Sequence, residues 1–208
     1  MIQALTMRSC SAALAALLCL SPMAQAANVP LDGSWQESVQ VRFDARVGQT
    51  RVLGPAAHEA CFALSLPQEW RSQTGGLDTR LKAVFSNAEL EVSLRPAHEL
   101  RGLPQPDLAS RDAALLQRDY ESLLGRPAQS ISLASLSTGA TRWSATWIDA
   151  HLPSGAQGMT VETLIVPLSS DWVLELSLTN VEEKGQYETL MKAILTSLKV
   201  QRGPACAV

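Results

Sequence analysis

The sequence predicts an α+β domain, an α/β/α sandwich in which helices pack on a mostly antiparallel sheet. Two observations lead to this prediction. Several short segments alternate apolar and polar residues and are separated by turn signals, which is typical of strands in an antiparallel sheet. Two longer segments carry apolar residues at helical spacing along one side, so each helix has one face to bury against a sheet.

A signal peptide is predicted over residues 1–26, ahead of the folded part of the chain. Arg8 supplies a positive flank, Ser11–Leu20 is apolar, Pro22 breaks the helix, and the segment ends in the small-residue pattern Ala-Gln-Ala. The apolar run is shorter than the ~20 residues that a membrane span needs. We therefore predict cleavage after Ala26, a periplasmic or secreted location, and no integral membrane segment in the mature protein.

The remaining chain is predicted to hold one folded domain. We expect an N-terminal extension over 27–58 with at most an edge strand, the domain over 59–200, and a short tail over 201–208. The net charge of −3 comes without a basic run, which argues against binding to nucleic acid. Neither a P-loop nor a dinucleotide fingerprint occurs, so no cofactor is predicted.

The first half of the domain is read as strands followed by a helix. Residues 39–47 alternate like an edge strand, and "CFALSL" (61–66) is a short apolar strand that Pro67 ends. Two further strands, "LKAVFS" and "ELEVSLRP", come next. A helix is then predicted with Asp107 as its N-cap and Gly125 as its stop, and Asp112 is assigned to its polar face.

The second half is predicted as a run of strands closed by a helix. The closing helix is predicted from the apolar stripe of "GQYETLMKAILTSLKV" (185–200). The strands that precede it are "SISLASLS", "TRWSATWIDAHL", "MTVETLIVPL" and "WVLELSLTN".

This pattern resembles the PsbP-like superfamily, which includes the bacterial DcrB-like exported proteins. The resemblance is carried by a strand ending in P-x-x-W (Pro67–Trp70), a mid-chain helix, a hairpin run, and a closing helix of the form Y-x-x-L-M-x-x-I-L-x-S-L-K (Tyr187–Lys199). It covers roughly Cys61 to Val200. The resemblance implies an α/β/α sandwich whose members bind, stabilise or chaperone other proteins, and it carries over no catalytic residue.

Two cysteines, Cys61 and Cys206, remain after signal cleavage. In an oxidising compartment such a pair is most simply a disulfide, which is our prediction. Two unpaired thiols and a metal site shared with His58 stay open as alternatives. A closed metal site normally has four ligands, so no metal is predicted.

The predicted binding residues are Trp143, Trp147 and His98, the last within the proline-rich loop 96–106. The two tryptophans fall on one face of a strand, where they either fill the interface between sheet and helix or form an open aromatic patch. The PsbP-like resemblance implies a non-enzymatic binding or accessory protein, a chaperone, assembly factor or stabiliser, and we expect it to contact a protein partner through this face and the loop 96–106.

Two other functions remain as alternatives. A carrier of a small molecule or lipid would use a cavity between a helix and the sheet. A hydrolase would use Asp149, His151 and Ser154, but the chain contains no G-x-S-x-G elbow and these residues fall close to one turn. No catalytic residue is therefore predicted.

Overall fold

The computed structural model describes residues 39–57, 60–73, 81–148 and 158–202. Of the described residues, 51% lie in strands and 24% in helices. The strands are β1 (Gln40–Asp44), β2 (Gln49–Ala57), β3 (Ala60–Pro67), β4 (Arg71–Gln73), β5 (Leu81–Phe85), β6 (Ala88–Pro96), β7 (Ser130–Ser135), β8 (Thr141–Ile148), β9 (Gly158–Pro167), β10 (Trp172–Thr179) and β11 (Lys199–Arg202). The helices are α1 (Leu108–Leu124) and α2 (Lys184–Ser197), and one turn of 3-10 helix spans Ala97–Leu100.

The described strands form two antiparallel sheets, so the predicted α/β/α sandwich is wrong. One sheet has four strands in the order β1-β2-β3-β11, and the other has seven in the order β4-β5-β6-β10-β9-β8-β7. The segment expected to be an extension with one edge strand supplies the hairpin β1–β2, and β2 pairs with β3. The fold therefore consists of two sheets where the prediction had one sheet between helical layers, and the N-terminal segment contributes two strands where the prediction had loop and one edge strand.

Strand β2 escaped prediction because it contains Gly54 and Pro55, two residues that weaken strand signals. Gly54 is buried, and a Cβ placed there would lie 2.4 Å from Cε1 of Phe62 on the neighbouring strand. Only a glycine leaves room for the phenylalanine ring without a shift. A residue that reads as a loop signal is therefore required by packing.

The larger hydrophobic core lies between the two sheets and α2. Phe62, Leu64 and Leu66 of β3 are fully or almost fully buried there. They meet Leu90 and Leu176 of the seven-stranded sheet and a set of α2 residues within the same cluster, namely Leu190, Met191 and Ile194. Burying each such side chain contributes about 1.5–3 kcal/mol relative to leaving it exposed.

Helix α1 covers part of the opposite face of the seven-stranded sheet. Leu174 of β10 belongs to the larger core between the sheets. Its neighbour Val173 points to the other face and belongs to a second hydrophobic core, which includes Trp143 and Trp147 under α1. The predicted helix ends are confirmed: the Asp107 side chain accepts a hydrogen bond from the Ser110 backbone N–H at 2.8 Å, and Gly125 adopts the left-handed conformation at φ 66°.

The closing helix is shorter than predicted. Helix α2 ends at Ser197, and Lys199–Arg202 forms β11, which pairs with β3. The Ser197 hydroxyl accepts a hydrogen bond from the backbone N–H of Ser65 at 2.9 Å, which fixes the helix end on β3. Within the part of the chain that is described, no helix has both the length and the apolar content to cross a membrane.

Candidate functional site

A groove of about 370 Å³ lies at the end of the seven-stranded sheet where β6 finishes and β10 begins. We call it the His98 groove. Its walls come from the 3-10 turn, the first turn of α1 and the loop between β9 and β10. The lining residues are Pro96, Ala97, His98, Arg101, Leu108, Arg111, Ser170, Asp171 and Trp172.

A backbone hydrogen bond joins two of these walls, and the Ser169 side chain adds two more contacts. The Ala97 N–H donates to the carbonyl of Asp171 at 2.7 Å, which joins the 3-10 turn to the β9–β10 loop. Within that loop, the Asp171 N–H donates to the hydroxyl of Ser169 at 3.1 Å, and the same hydroxyl donates to the carbonyl of Ala56 at 2.9 Å. The groove is thus tied to both sheets.

The groove is lined by more positive than negative side chains. Arg101 and His98 are exposed, and Arg111 is half-buried with its Nε donating to the carbonyl of Gln105 at 2.8 Å. Asp171 is the acidic residue of the lining. A chain with a net charge of −3 therefore presents a locally positive surface here, beside the half-buried indole of Trp172.

Close to this groove, a cluster of ionisable side chains lies between α1 and the sheet. Nε of Arg95 on β6 lies 2.7 Å from Oδ1 of Asp112 on α1 and 2.7 Å from Oε1 of Glu175 on β10. Asp112 is fully buried and Glu175 is 4% exposed. Arg95 also lies 3.7 Å from the exposed carboxylate of Glu99. One guanidinium thus faces three carboxyl groups.

The pKa values of this cluster are shifted. Burial, and then the negative charge of Glu175, raise the pKa of Asp112 to about 8, although Arg95 opposes the change. Burial alone would lower the pKa of Arg95, but Glu175 and Asp112 together raise it above its ordinary value. The buried position of Asp112 beside a second carboxyl group thus favours its protonated form, and Arg95 lies between α1 and β10.

The structure brings Trp143 and Trp147 together, but beneath α1 and not at the surface. Each is 1% exposed, and the ring of Tyr120 lies 5.9 Å from the first indole and 5.8 Å from the second, between centroids. Trp147 Nε1 donates to the carbonyl of Arg126 at 3.3 Å. The two indoles form no open aromatic patch in this structure, because α1 covers them, and their predicted binding role stays a prediction.

The other predicted site residues divide between the described and the undescribed parts of the chain. His98 lies in the groove and Cys61 is buried on β3, opposite Gln201 of β11. Cys206, His58, Asp149, His151 and Ser154 lie outside the described residues. Among the described residues, no group of three or more His, Cys, Asp or Glu side chains is placed to hold a metal ion.

The sequence interpretation missed Arg101, Arg111 and Asp112. Asp112 was assigned to the polar face of its helix, yet it is fully buried. The available signal was its spacing, because it lies four residues after Leu108 and four before Leu116, on the apolar stripe. Comparison with known proteins found no matching family model and no matching curated protein.

Proposed function

We propose that this protein is an exported, non-enzymatic binding protein that takes an acidic segment of a protein partner into the His98 groove. The observation that carries the proposal is the positive lining of the groove on an acidic chain, to which Arg101 and Arg111 both contribute. Guanidinium groups bind carboxylates through paired hydrogen bonds, so two arginines favour aspartate or glutamate side chains.

The surroundings of the groove support a binding role. A short backbone hydrogen bond joins the 3-10 turn to the β9–β10 loop, and beside the groove Arg95 lies between Asp112 of α1 and Glu175 of β10. A preformed site loses little conformational entropy when a partner binds. Trp172 adds an apolar surface against which the stem of a glutamate or a neighbouring side chain can pack.

The cellular role that we propose is that of a chaperone, assembly factor or stabiliser in the periplasm. Export rests on the predicted signal peptide, and contact with other proteins is the role implied by the PsbP-like resemblance. That resemblance concerns the sequence pattern around Pro67–Trp70 and Tyr187–Lys199, and the layer arrangement that it implied is not retained.

A second candidate is a carrier of a small anionic molecule. A volume of about 370 Å³ falls within the range of ~300–1,000 Å³ that small-molecule sites occupy. Native mass spectrometry of protein purified from its own compartment distinguishes the two, because a carrier retains a bound mass that an unliganded protein-binding module lacks.

The proposal is tested with a defined acidic probe. Fluorescein-labelled hexaglutamate should bind saturably, and Arg101→Glu should weaken binding by at least tenfold, because it reverses a charge in the groove. Arg101 is exposed and no ion pair joins it to another described residue, so the substitution should leave the fold intact.

The matched control is Arg118→Glu, which makes the same charge change at an exposed position of α1 outside the lining. It should leave the affinity within about twofold of the parent, and hexaserine should not bind. Equal losses in both variants would show that the peptide responds only to net charge, which contradicts a site at the groove.

A further inference from the structure

Strand β7 is an edge strand that is open on both faces. It lies at the end of the seven-stranded sheet and pairs on one side with β8. All six of its residues are exposed. An edge strand presents a row of backbone N–H and C=O groups that can pair with another strand.

Within the described residues, strand β7 lacks three of the features that usually protect a sheet edge. Such features are charged side chains, prolines and bulges within the strand. The sequence from Pro127 to Thr141 contains no ionisable side chain, and β7 pairs with β8 in continuous register without a bulge. Arg126 and Arg142 lie outside this neutral stretch.

The exposed apolar side chains of β7 continue the second hydrophobic core beyond the helix. Ile131 and Leu133 are each 47% exposed. They lie opposite Ala145 and Trp143 on β8, both almost completely buried. Residues opposite each other in an antiparallel pair share a face, so an apolar stripe runs from beneath α1 out to the sheet edge.

We propose that a second copy of this chain pairs with this edge, strand β7 against strand β7, antiparallel about a two-fold axis at Ser132. Each Ile131 then lies opposite Leu133 of the partner subunit, and the two apolar stripes join into one. On the other face, Ser130 lies opposite Ala134 of the partner subunit, where both side chains are small.

The symmetry of the strand favours a second copy over another occupant. A two-fold axis perpendicular to the sheet keeps the same face of both sheets on one side, which allows only registers centred on a residue. The register centred on Ser132 matches both apolar residues of β7, whereas a centre at Leu133 places Ile131 opposite Ser135. The absence of charge means that two identical strands meet without repulsion, although each chain carries −3.

The register is tested by cysteine cross-linking of the full chain. Paired Cα atoms across an antiparallel ladder lie ~4.5–5.5 Å apart, within the range that a disulfide spans. Ser132→Cys should therefore form a covalent dimer under mild oxidation. Ala134→Cys should not, because its two copies would lie about 13 Å apart along the strands. The parent chain reports any cross-linking by native cysteines.

Sedimentation velocity over a dilution series tests the dimer itself. The parent should shift from dimer to monomer on dilution, and Leu133→Lys should remain monomeric because it places like charges at the edge. Leu123→Lys, at a leucine of α1 that is 79% exposed, should dimerise like the parent. A monomeric parent at every concentration, a dimer that survives Leu133→Lys, or a cross-link at Ala134→Cys in place of Ser132→Cys overturns the proposal.

Discussion

Asp112 shows how one buried side chain makes the stability of the protein depend on pH. Burial raises its pKa to about 8 in the folded protein, whereas an aspartate in an unfolded chain titrates near ~3.9. The folded state therefore binds the proton more tightly than the unfolded state between these values. The contribution to stability is fully present below about pH 4 and is lost as the pH rises to about 8.

Asp112→Asn should flatten this dependence, because the amide keeps the shape of the protonated acid and cannot ionise. Urea unfolding should show that the difference in free energy of unfolding between pH 5 and pH 8 is smaller in Asp112→Asn than in the parent. Asp119→Asn, at an exposed position of the same helix, should behave like the parent. Identical pH profiles for the parent and Asp112→Asn would contradict the buried-proton interpretation.

The sequence could reveal that Asp112 interrupts an apolar stripe, but not what it meets. Its partners, Arg95 and Glu175, come from two strands that lie far from it along the chain. Both strands alternate, and both charged residues fall on the face expected to be polar. These three side chains are buried together only because α1 lies over that face of the sheet, and the sequence pattern does not give this position.

At the level of elements, α1 depends on the two indoles beneath it. Trp143→Ala or Trp147→Ala should each lower the free energy of unfolding by about 3–5 kcal/mol, because each leaves a large cavity beside Tyr120. Chemical denaturation measures the change, and Leu123→Ala at an exposed position should alter stability by less than about 0.5 kcal/mol. A double tryptophan variant that keeps the parental stability but does not bind a partner would support the interpretation of Trp143 and Trp147 as an open binding patch.

Elements with local signals were predicted well, and elements without them were not. The ends of α1 are predictable because the side-chain cap at Asp107 and the glycine at 125 each lie in the sequence directly beside the helix end that they determine. Strand β2 was not predicted because Gly54 weakens its strand signal. The glycine is needed because a larger residue there would clash with Phe62 on the neighbouring strand. Residues 199 and 200 continue a helical pattern locally, and 201 and 202 were expected in a tail, yet pairing with β3 makes all four a strand.

At the level of the whole molecule, β11 brings the C-terminal part of the chain alongside β3. Gln201 lies opposite Cys61, and the other predicted disulfide partner, Cys206, follows within a few residues along the chain. We predict that the protein from its own compartment, measured without reductant, has an intact mass two hydrogens lighter than the reduced chain. Closing so long a loop stabilises by up to about 5 kcal/mol in chain-entropy models.

The matched variant is Cys61→Ser, which should show no such mass difference and a lower midpoint of urea unfolding. An adduct on the parent would favour the metal or ligand alternative. A parent mass with both thiols intact would contradict the disulfide.

The pairing of β3 with β11 also determines when the four-stranded sheet can be completed. Strands β1 to β3 follow one another directly, but their fourth partner is reached only after the whole seven-stranded sheet and both helices. Contacts between residues so distant in sequence form slowly. A nascent chain without residues 199–202 leaves one side of β3, a largely buried apolar strand, unpaired. Such a chain stays open to aggregation until residues 199–202 have been synthesised, so productive folding favours a chain that is held unfolded until β11 is available to pair with β3.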